Sequence, residues 1–284
     1  MAKSIMIQGT SSGVGKTIIT MALCRILKQD GYNAAPFKSQ NITSNTAFVN
    51  DGGEIAVSQL LQARAAKTEP NTDMNPVILK MSSEKNGTQV ILNGKPYGKI
   101  NAYNFKEIKR DLIPEITKAY DNLSKRYDII VLEGAGSPVE LNLNKNDDDI
   151  VNMGIAKRVK SPVLLVSDID RGGVFASLYG TVNLLDKSER KYVKATVVNR
   201  FRGDISYFKD GVDILENITG VPVAGVVPYF KFDIPEEDSL YTNDISSNGD
   251  FDAQFDLIAD HARKSLDMEL IYRIINGGMG ENYG

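Results

Sequence analysis

Residues 9–17 read GTSSGVGKT, with three glycines and a Lys-Thr pair inside nine positions. That composition suits the holding of an oxyanion. Gly9, Gly13 and Gly15 let the backbone turn tightly and aim its N–H groups inward. The Lys16 ammonium can then reach the β and γ phosphates of a nucleotide, and the Thr17 hydroxyl can ligate Mg²⁺. Thr10 and Val14 complete the cradle. The strict spacing of such loops would put the first glycine at position 10. Thr10 stands there and Gly9 serves instead, so this loop is one residue longer.

Other segments carry groups that a phosphate loop can use. Glu133 ends the apolar run Ile129–Leu132 and is followed by Gly134 and Gly136. A carboxylate at the carboxyl end of a buried strand beside a phosphate loop is placed to bind Mg²⁺, or to cap the element that follows. Asp51–Gly52–Gly53–Glu54 is an acidic loop that opens a helical pattern. Asp51 and Glu54 suit metal or substrate work, and Asp51 also suits a plain N-cap. Asp168, Asp170 and Arg171 follow another apolar run. Arg171 fits either a phosphate or substrate carboxylate, or an ion pair with one of those aspartates. Asn199 can give and accept hydrogen bonds at a purine edge, with Arg200 and Arg202 beside it. Asn142 and Asp147–Asp149 read as a solvated acidic loop.

These groups need a frame. Short, nearly continuous β-branched runs recur at Ile5–Ile7, Ile129–Leu132, Val163–Val166, Ala195–Val198 and Val223–Val227. Strands buried on both faces of a parallel sheet read this way. Ala34–Pro36 reads as a further strand ahead of Phe37–Asn41. Helical patterns alternate with the strands at Thr17–Asp30, Glu54–Lys67, Phe105–Lys125, Ile150–Val159, Gly173–Leu185 and Tyr207–Thr219. Gly31 fits a helix C-cap, and Pro162 and Pro222 open strands. The order predicts an α/β fold, a doubly wound, mostly parallel sheet with ligands at the carboxyl ends of its strands. Residues 68–103 read as an excursion with a small hairpin between Asn86 and Lys99. Residues 251–275 carry helical spacing, and the final GGMGENYG reads as frayed. The chain thus divides into a nucleotide-binding domain over 1–232, a linker over 233–250 and an amphipathic helical segment over 251–284.

Composition narrows the function. The 284 residues are 42% hydrophobic and 24% charged, with a net charge of −3 and a pI near 5.4. An acidic chain of ordinary composition is not built around a nucleic-acid polyanion. No apolar run approaches the ~20 residues that span a bilayer, and the first residues form a phosphate loop rather than a signal peptide. The terminal segment carries too many acidic residues for a membrane foot. Cys24 is the sole cysteine and His261 the sole histidine. Cys24 reads as a buried core thiol and His261 as a structural residue on the terminal helix. Neither a Ser-His-Asp nor a Cys-His hydrolase is readable. These features point to a cytoplasmic enzyme.

GTSSGVGKT, APFKSQN, DGGEI, DMNPVILK, EGAGSPVE, DIVNMG, DIDRGGVFA, VVNRFRGD and GVVPY occur in that order between about residue 4 and residue 240. Together they resemble the cobyric acid synthases, whose synthetase domain is similar to dethiobiotin synthetase, a P-loop NTPase fold. The resemblance implies ATP-dependent amidation of peripheral carboxylates on a cobyrinic acid a,c-diamide corrinoid, with ATP and Mg²⁺ as cofactors. It further implies a role for each matched residue. Gly9, Thr10, Gly13, Val14, Gly15, Lys16 and Thr17 would bind the phosphates. Asn199 and the backbone at Pro228 and Tyr229 would hold adenine. Thr17, Asp51 and Glu133 would surround Mg²⁺, and Lys16, Lys38 and Asp51 would act in catalysis. Glu54, Asp170 and Arg171 fall on the substrate side.

Full-length members of that family also carry a glutaminase domain with a catalytic Cys and His. Cys24 and His261 do not match it. Residues 251–275 resemble the segment that follows that domain. Either a separate glutamine amidotransferase subunit or free ammonia is then the expected nitrogen source, or the chain is a remnant without full activity; a homodimer is a further partner expectation. Two other readings share the loop. A dethiobiotin synthetase-like carboxylating ligase leaves DIDRGGVFA and NRFRGD unexplained. A partition-type ATPase would carry a lysine where this chain has Ser11.

Overall fold

The computed structural model describes residues 2–80, 88–100, 105–139, 149–234 and 251–277. Its frame is a six-stranded parallel sheet. The strands are β1 (Lys3–Gly9), β2 (Ala34–Phe37), β9 (Ile129–Glu133), β10 (Val163–Asp168), β11 (Val193–Phe201) and β12 (Val223–Pro228), in the order β12-β11-β10-β1-β9-β2. β1 lies at the centre. Its register sets Ile7 beside Glu133 on one side and Gly9 beside Val166 on the other. All six strands therefore deliver their carboxyl ends to one rim.

Successive side chains of each strand point to opposite faces, and both faces are apolar. Ile5, Ile7, Val131, Leu164, Val166 and Val197 face one layer. It is formed by α1 (Lys16–Gln29), α2 (Val57–Ala65), α8 (Asp252–Ser265) and α9 (Met268–Ile275). Met6, Ile130, Leu132, Val163, Leu165 and Val198 face the other. That layer holds α3 (Phe105–Ser124), α4 (Met153–Val159), α5 (Val174–Leu184) and α7 (Lys209–Thr219). A short helix, α6 (Lys187–Arg190), joins α5 to β11. The doubly wound expectation holds. β2 is an edge strand, which is why Pro36 is tolerated inside it.

The excursion is more ordered than its composition suggests. β3 (Gln40–Ile42), β6 (Val77–Lys80), β7 (Thr88–Leu92) and β8 (Lys95–Ile100) form a second sheet in the order β3-β6-β7-β8. The hairpin is β7–β8. Its turn residues Asn93 and Gly94 both have positive φ, as a two-residue hairpin turn of matching twist requires. Asn86, the near end of the expected hairpin, lies outside the described residues.

A further hairpin, β4 (Thr46–Phe48) with β5 (Glu54–Ala56), replaces the first turn of the helix expected from Glu54. The helix starts at Val57 instead. A three-residue strand running directly into a helix leaves no period to read. The helix expected from Ile150 starts at Met153, because Asp149 bends the chain back on itself first.

α8 and α9 pack into the same core as α1. Buried Arg25 of α1 donates to Asp256 (2.7 Å) and Asp252 (3.2 Å), and Arg263 donates to Asp30 (2.9 Å). Leu266 bridges Gly225 of edge strand β12, where any β-carbon would meet the Ser265 carbonyl at 2.3 Å. Residues 235–250, most of the expected linker, and residues 278–284 of the expected frayed end lie outside the described residues. Among the described residues no helix is long and apolar enough to cross a membrane.

Candidate functional site

β1 ends at Gly9 and α1 begins at Lys16, so residues 10–15 form the turn between them. Two contacts anchor its entry. The Thr10 N–H donates to the Val166 carbonyl (2.9 Å) and its hydroxyl to Ser167 Oγ (2.9 Å). Gly15 caps the helix in the left-handed region at φ +100°. Asn199, at the end of β11, lies beneath the loop, and its amide donates to the Val14 carbonyl (2.8 Å). A β-carbon on Gly15 would sit 2.1 Å from that amide nitrogen. Asn199 therefore supports the loop from below. The Lys16 ammonium reaches back to the Ser11 carbonyl (3.0 Å) and across to the Gly136 carbonyl (3.2 Å).

The Glu133 carboxylate is the meeting point of the site. It is 1% exposed at the end of β9, next to β1. Its Oε1 accepts from the Thr17 hydroxyl (3.1 Å) and from the Lys38 ammonium (2.9 Å). Its Oε2 accepts from Gln62 (2.5 Å), a residue of α2 that the sequence reading did not single out. A buried carboxylate with three donors is well compensated for its lost hydration. Lys38 is itself buried at the end of β2. Its carbonyl accepts from Asn75 (2.9 Å), whose Oδ1 in turn accepts from the Ala56 N–H (3.2 Å). Asn75 thus ties the Lys38 backbone to the β4–β5 hairpin, and it too went unnoticed in the sequence.

The glycine-rich segment after Glu133 is held by Asn152, which bonds both the N–H (3.1 Å) and the carbonyl (2.6 Å) of Ala135. Asp149 is buried, and its carboxylate accepts from the N–H groups of Val151, Asn152 and Gly154. The solvated-loop expectation fails at this residue, which caps α4. Asn142, Asp147 and Asp148 lie outside the described residues.

Asp51 stands apart from this cluster in the β4–β5 turn. Its Oδ1 accepts from the Gly53 N–H (3.0 Å), and its Oδ2 from the N–H and hydroxyl of Thr72 (2.8 and 2.9 Å). Burial raises the Asp51 pKa, but these bonds outweigh it and hold the carboxyl below the ordinary carboxylate range. Glu54 is buried, paired with Lys80 and with the Thr46 hydroxyl. The structure thus gathers Lys16, Thr17, Lys38 and Glu133 and carries Asp51 and Glu54 on a neighbouring hairpin.

Farther along the same rim, beyond β1, Asp168 pairs with Arg200 (2.9 Å), and Asp170 pairs with Arg202. The Arg202 guanidinium lies 3.6 Å from the centre of the Tyr229 ring. The Arg202 bond holds the Asp170 carboxyl below its ordinary pKa. Arg171 stays exposed, 3.9 Å from Asp168, with one guanidinium nitrogen 4.0 Å from where a β-carbon on Gly13 would stand. It reaches the phosphate loop. Nearby, His261 Nε2 lies 2.8 Å from the Pro228 carbonyl, packed against Phe230 and Phe232. A carbonyl only accepts, so the proton of this bond is on Nε2. The histidine is thus packed into the fold, and it touches Pro228, a residue expected near the adenine.

Residues 5–239 match the CobQ/CobB/MinD/ParA nucleotide binding domain family. The cobyric acid synthase of Ruminiclostridium cellulolyticum is 56% identical over 84% of this chain and 46% of its own length. That of Lachnoclostridium phytofermentans is 53% identical over 84% of this chain and 47% of its own. That of Streptococcus sanguinis is 47% identical over 95% of this chain and 52% of its own. The chain spans about half the length of these curated relatives. With a glycine-rich turn between β1 and α1 and a match over most of its length, the chain belongs to the CobQ/CobB/MinD/ParA nucleotide binding domain family.

Proposed function

We propose that this chain catalyses the ATP-dependent amidation of peripheral carboxylates on a cobyrinic acid a,c-diamide corrinoid, a step of cobalamin biosynthesis. The observation that carries the reading is the convergence of Lys38 and Thr17 on one oxygen of Glu133, beside the Lys16 loop. The similarity to cobyric acid synthases supplies the substrate class. A carboxylate resists attack by ammonia because its leaving group would be oxide. In the proposed route the substrate carboxylate oxygen attacks the γ-phosphorus of ATP and ADP leaves. Ammonia then attacks the acyl carbon, inorganic phosphate departs, and an amide remains. No covalent protein intermediate is needed.

The residues then have distinct tasks. Backbone N–H groups from Gly9 to Thr17, with the α1 dipole, hold the phosphates. Lys16 follows the transferred group, and Arg171 adds positive charge above Gly13. Lys38 faces the carboxylate that accepts the phosphoryl group. Asn199 fixes the loop, and the Pro228 edge lies at the base end. The hydroxyl of Thr17 and the carboxylate of Glu133 are hard oxygen donors that share one hydrogen bond, and they fit magnesium. Asp51 is the third proposed ligand, and to bind it would exchange its bonds to Thr72 for the metal. Magnesium there would draw charge off the phosphoryl oxygens, so that catalysis is positioning plus electrostatics. Glu54 and Asp170 fall to the corrinoid side. The nitrogen enters as ammonia, in the cytoplasm.

ADP release in the presence of the a,c-diamide corrinoid, with ammonium, with glutamine and with neither, tests the reading. Turnover with ammonium alone is expected. Glutamine should support it only when a second polypeptide is added. Turnover that needs a diaminopelargonate-type substrate and bicarbonate would replace the reading with a carboxylating ligase.

A further inference from the structure

Behind Glu133 runs a line of buried amides. Gln62 donates to Glu133 Oε2 (2.5 Å), and Gln59 donates to Gln62 Oε1 (3.4 Å). Gln59 Oε1 accepts from Asn41 (2.9 Å) and from the Ser58 hydroxyl (3.1 Å). Asn41 also donates to Ser58 Oγ (3.1 Å). Gln59 and Gln62 are fully buried at 0% exposure, Asn41 is 3% exposed and Ser58 7%. The line runs from the end of the central sheet, through α2, to β3 of the second sheet.

Four buried polar side chains in one row are costly unless each is satisfied, and each bond constrains the next. Here the row has a direction. A glutamine whose oxygen already accepts from Gln59 must present its NH₂ to the next acceptor, which is Glu133 Oε2. The amide orientation is thereby fixed, and with it the plane of the carboxylate. Oε2 is occupied, and Oε1 is left facing Thr17 and Lys38.

We propose that Gln62 is a positioning residue for Glu133, and that the Gln59–Asn41–Ser58 row locks it in the donating orientation, so that Glu133 presents a single preset oxygen to magnesium on the nucleotide. The inference rests on the proposed metal role of Glu133. Outer partners of this kind commonly change metal affinity by about 10–100-fold when lost. The Gln62 side chain bonds Glu133 and Gln59, so its influence on nucleotide binding runs through the carboxylate.

The test is binding of a fluorescent ATP analogue to the full chain, first in EDTA and then across a magnesium titration. Gln62→Met keeps the side-chain length and removes the donor. Its affinity in EDTA is expected to stay within about twofold of wild type, and the magnesium needed for half-saturation to rise about tenfold. Gln59→Met leaves the Gln62–Glu133 bond and removes the lock, so a smaller rise in the same direction is expected. If Gln62→Met does not fold, as judged by its melting curve, Gln59→Met carries the test alone. Equal loss of affinity with and without magnesium would make the row merely structural and overturn the proposal. An unchanged magnesium titration in a folded variant would overturn it too. If wild-type binding does not respond to magnesium at all, the metal reading of Glu133 fails first, and this inference fails with it.

Discussion

The Lys38 ammonium and the Glu133 carboxylate form an ion pair at 2.9 Å in which the side chains are only 5% and 0% exposed. Removing one member of a buried pair strands the other. Lys38→Met is therefore expected to cost about 3–5 kcal/mol, most of it from the uncompensated Glu133 charge. Lys38→Met combined with Glu133→Gln should recover a large part of that loss. Urea denaturation of both single variants and the double variant, read as a cycle, checks this.

Gly15→Ala meets two obstacles at once. The residue sits at φ +100°, and its new β-carbon would lie 2.1 Å from the Asn199 amide that supports the loop. Backbone strain of this kind costs about 1–3 kcal/mol, and the loop has to shift as well. We expect at least a tenfold loss of nucleotide affinity, about 1.4 kcal/mol, by calorimetric titration. Retention of wild-type affinity would mean that the loop geometry described here is not the binding geometry.

Acid should loosen the grip between α1 and α8. Burial pushes the Asp30 carboxyl up, but bonds from Arg263 and Tyr272 more than reverse it, and its pKa falls below the ordinary value. The bond from Arg25 lowers Asp256 in the same way. A group whose pKa is depressed on folding adds stability above its unfolded pKa and loses it as pH falls through the folded value. Stability should thus begin to drop as pH falls below about 5 and continue to fall below the ordinary carboxylate range. Arg263→Met should be less stable at neutral pH and show a shallower drop on acidification. Melting curves at fixed ionic strength measure both.

Cys24 offers a probe of global opening. Burial, with the nearby Glu133 charge adding, pushes its thiol well above the ordinary range, and the side chain is 0% exposed in α1. A thiol reagent should find no reactive group in the native protein. In denaturant it should titrate one thiol per chain. Rapid modification of the folded protein would contradict the packing of α1.

The central sheet was legible because strands covered on both faces are apolar throughout, as at Val163–Val166. Of the second sheet, only the β7–β8 hairpin was legible. Strand β3 of that sheet reads Gln-Asn-Ile, and a three-residue polar strand has neither alternation nor apolar run. α2 misled for a related reason. It is enclosed on every side, so Gln59 and Gln62 are buried beside Leu60 and Leu61, and no polar face marks the helix. The phosphate loop, Thr17 and Glu133 were legible because their chemistry is local to a strand end. Asn199 was singled out for a purine edge, and its amide also serves Val14. That contact joins residues 185 positions apart and leaves no trace in spacing. One signal was available for Gln62. A pair of glutamines three apart, inside an otherwise small and apolar helix, is unusual for a solvent face.

The bonds from Arg25 to Asp252 and Asp256 join positions 227 and 231 apart in the chain. A ribosome making this protein releases the phosphate loop well before the helix that braces it. Until residue 256 is free of the exit tunnel, the first helix has one flank open to water. Contacts so distant in sequence slow folding. The newborn phosphate-loop region therefore waits, with its nucleotide cradle drafted but unbraced, while the intervening residues are made.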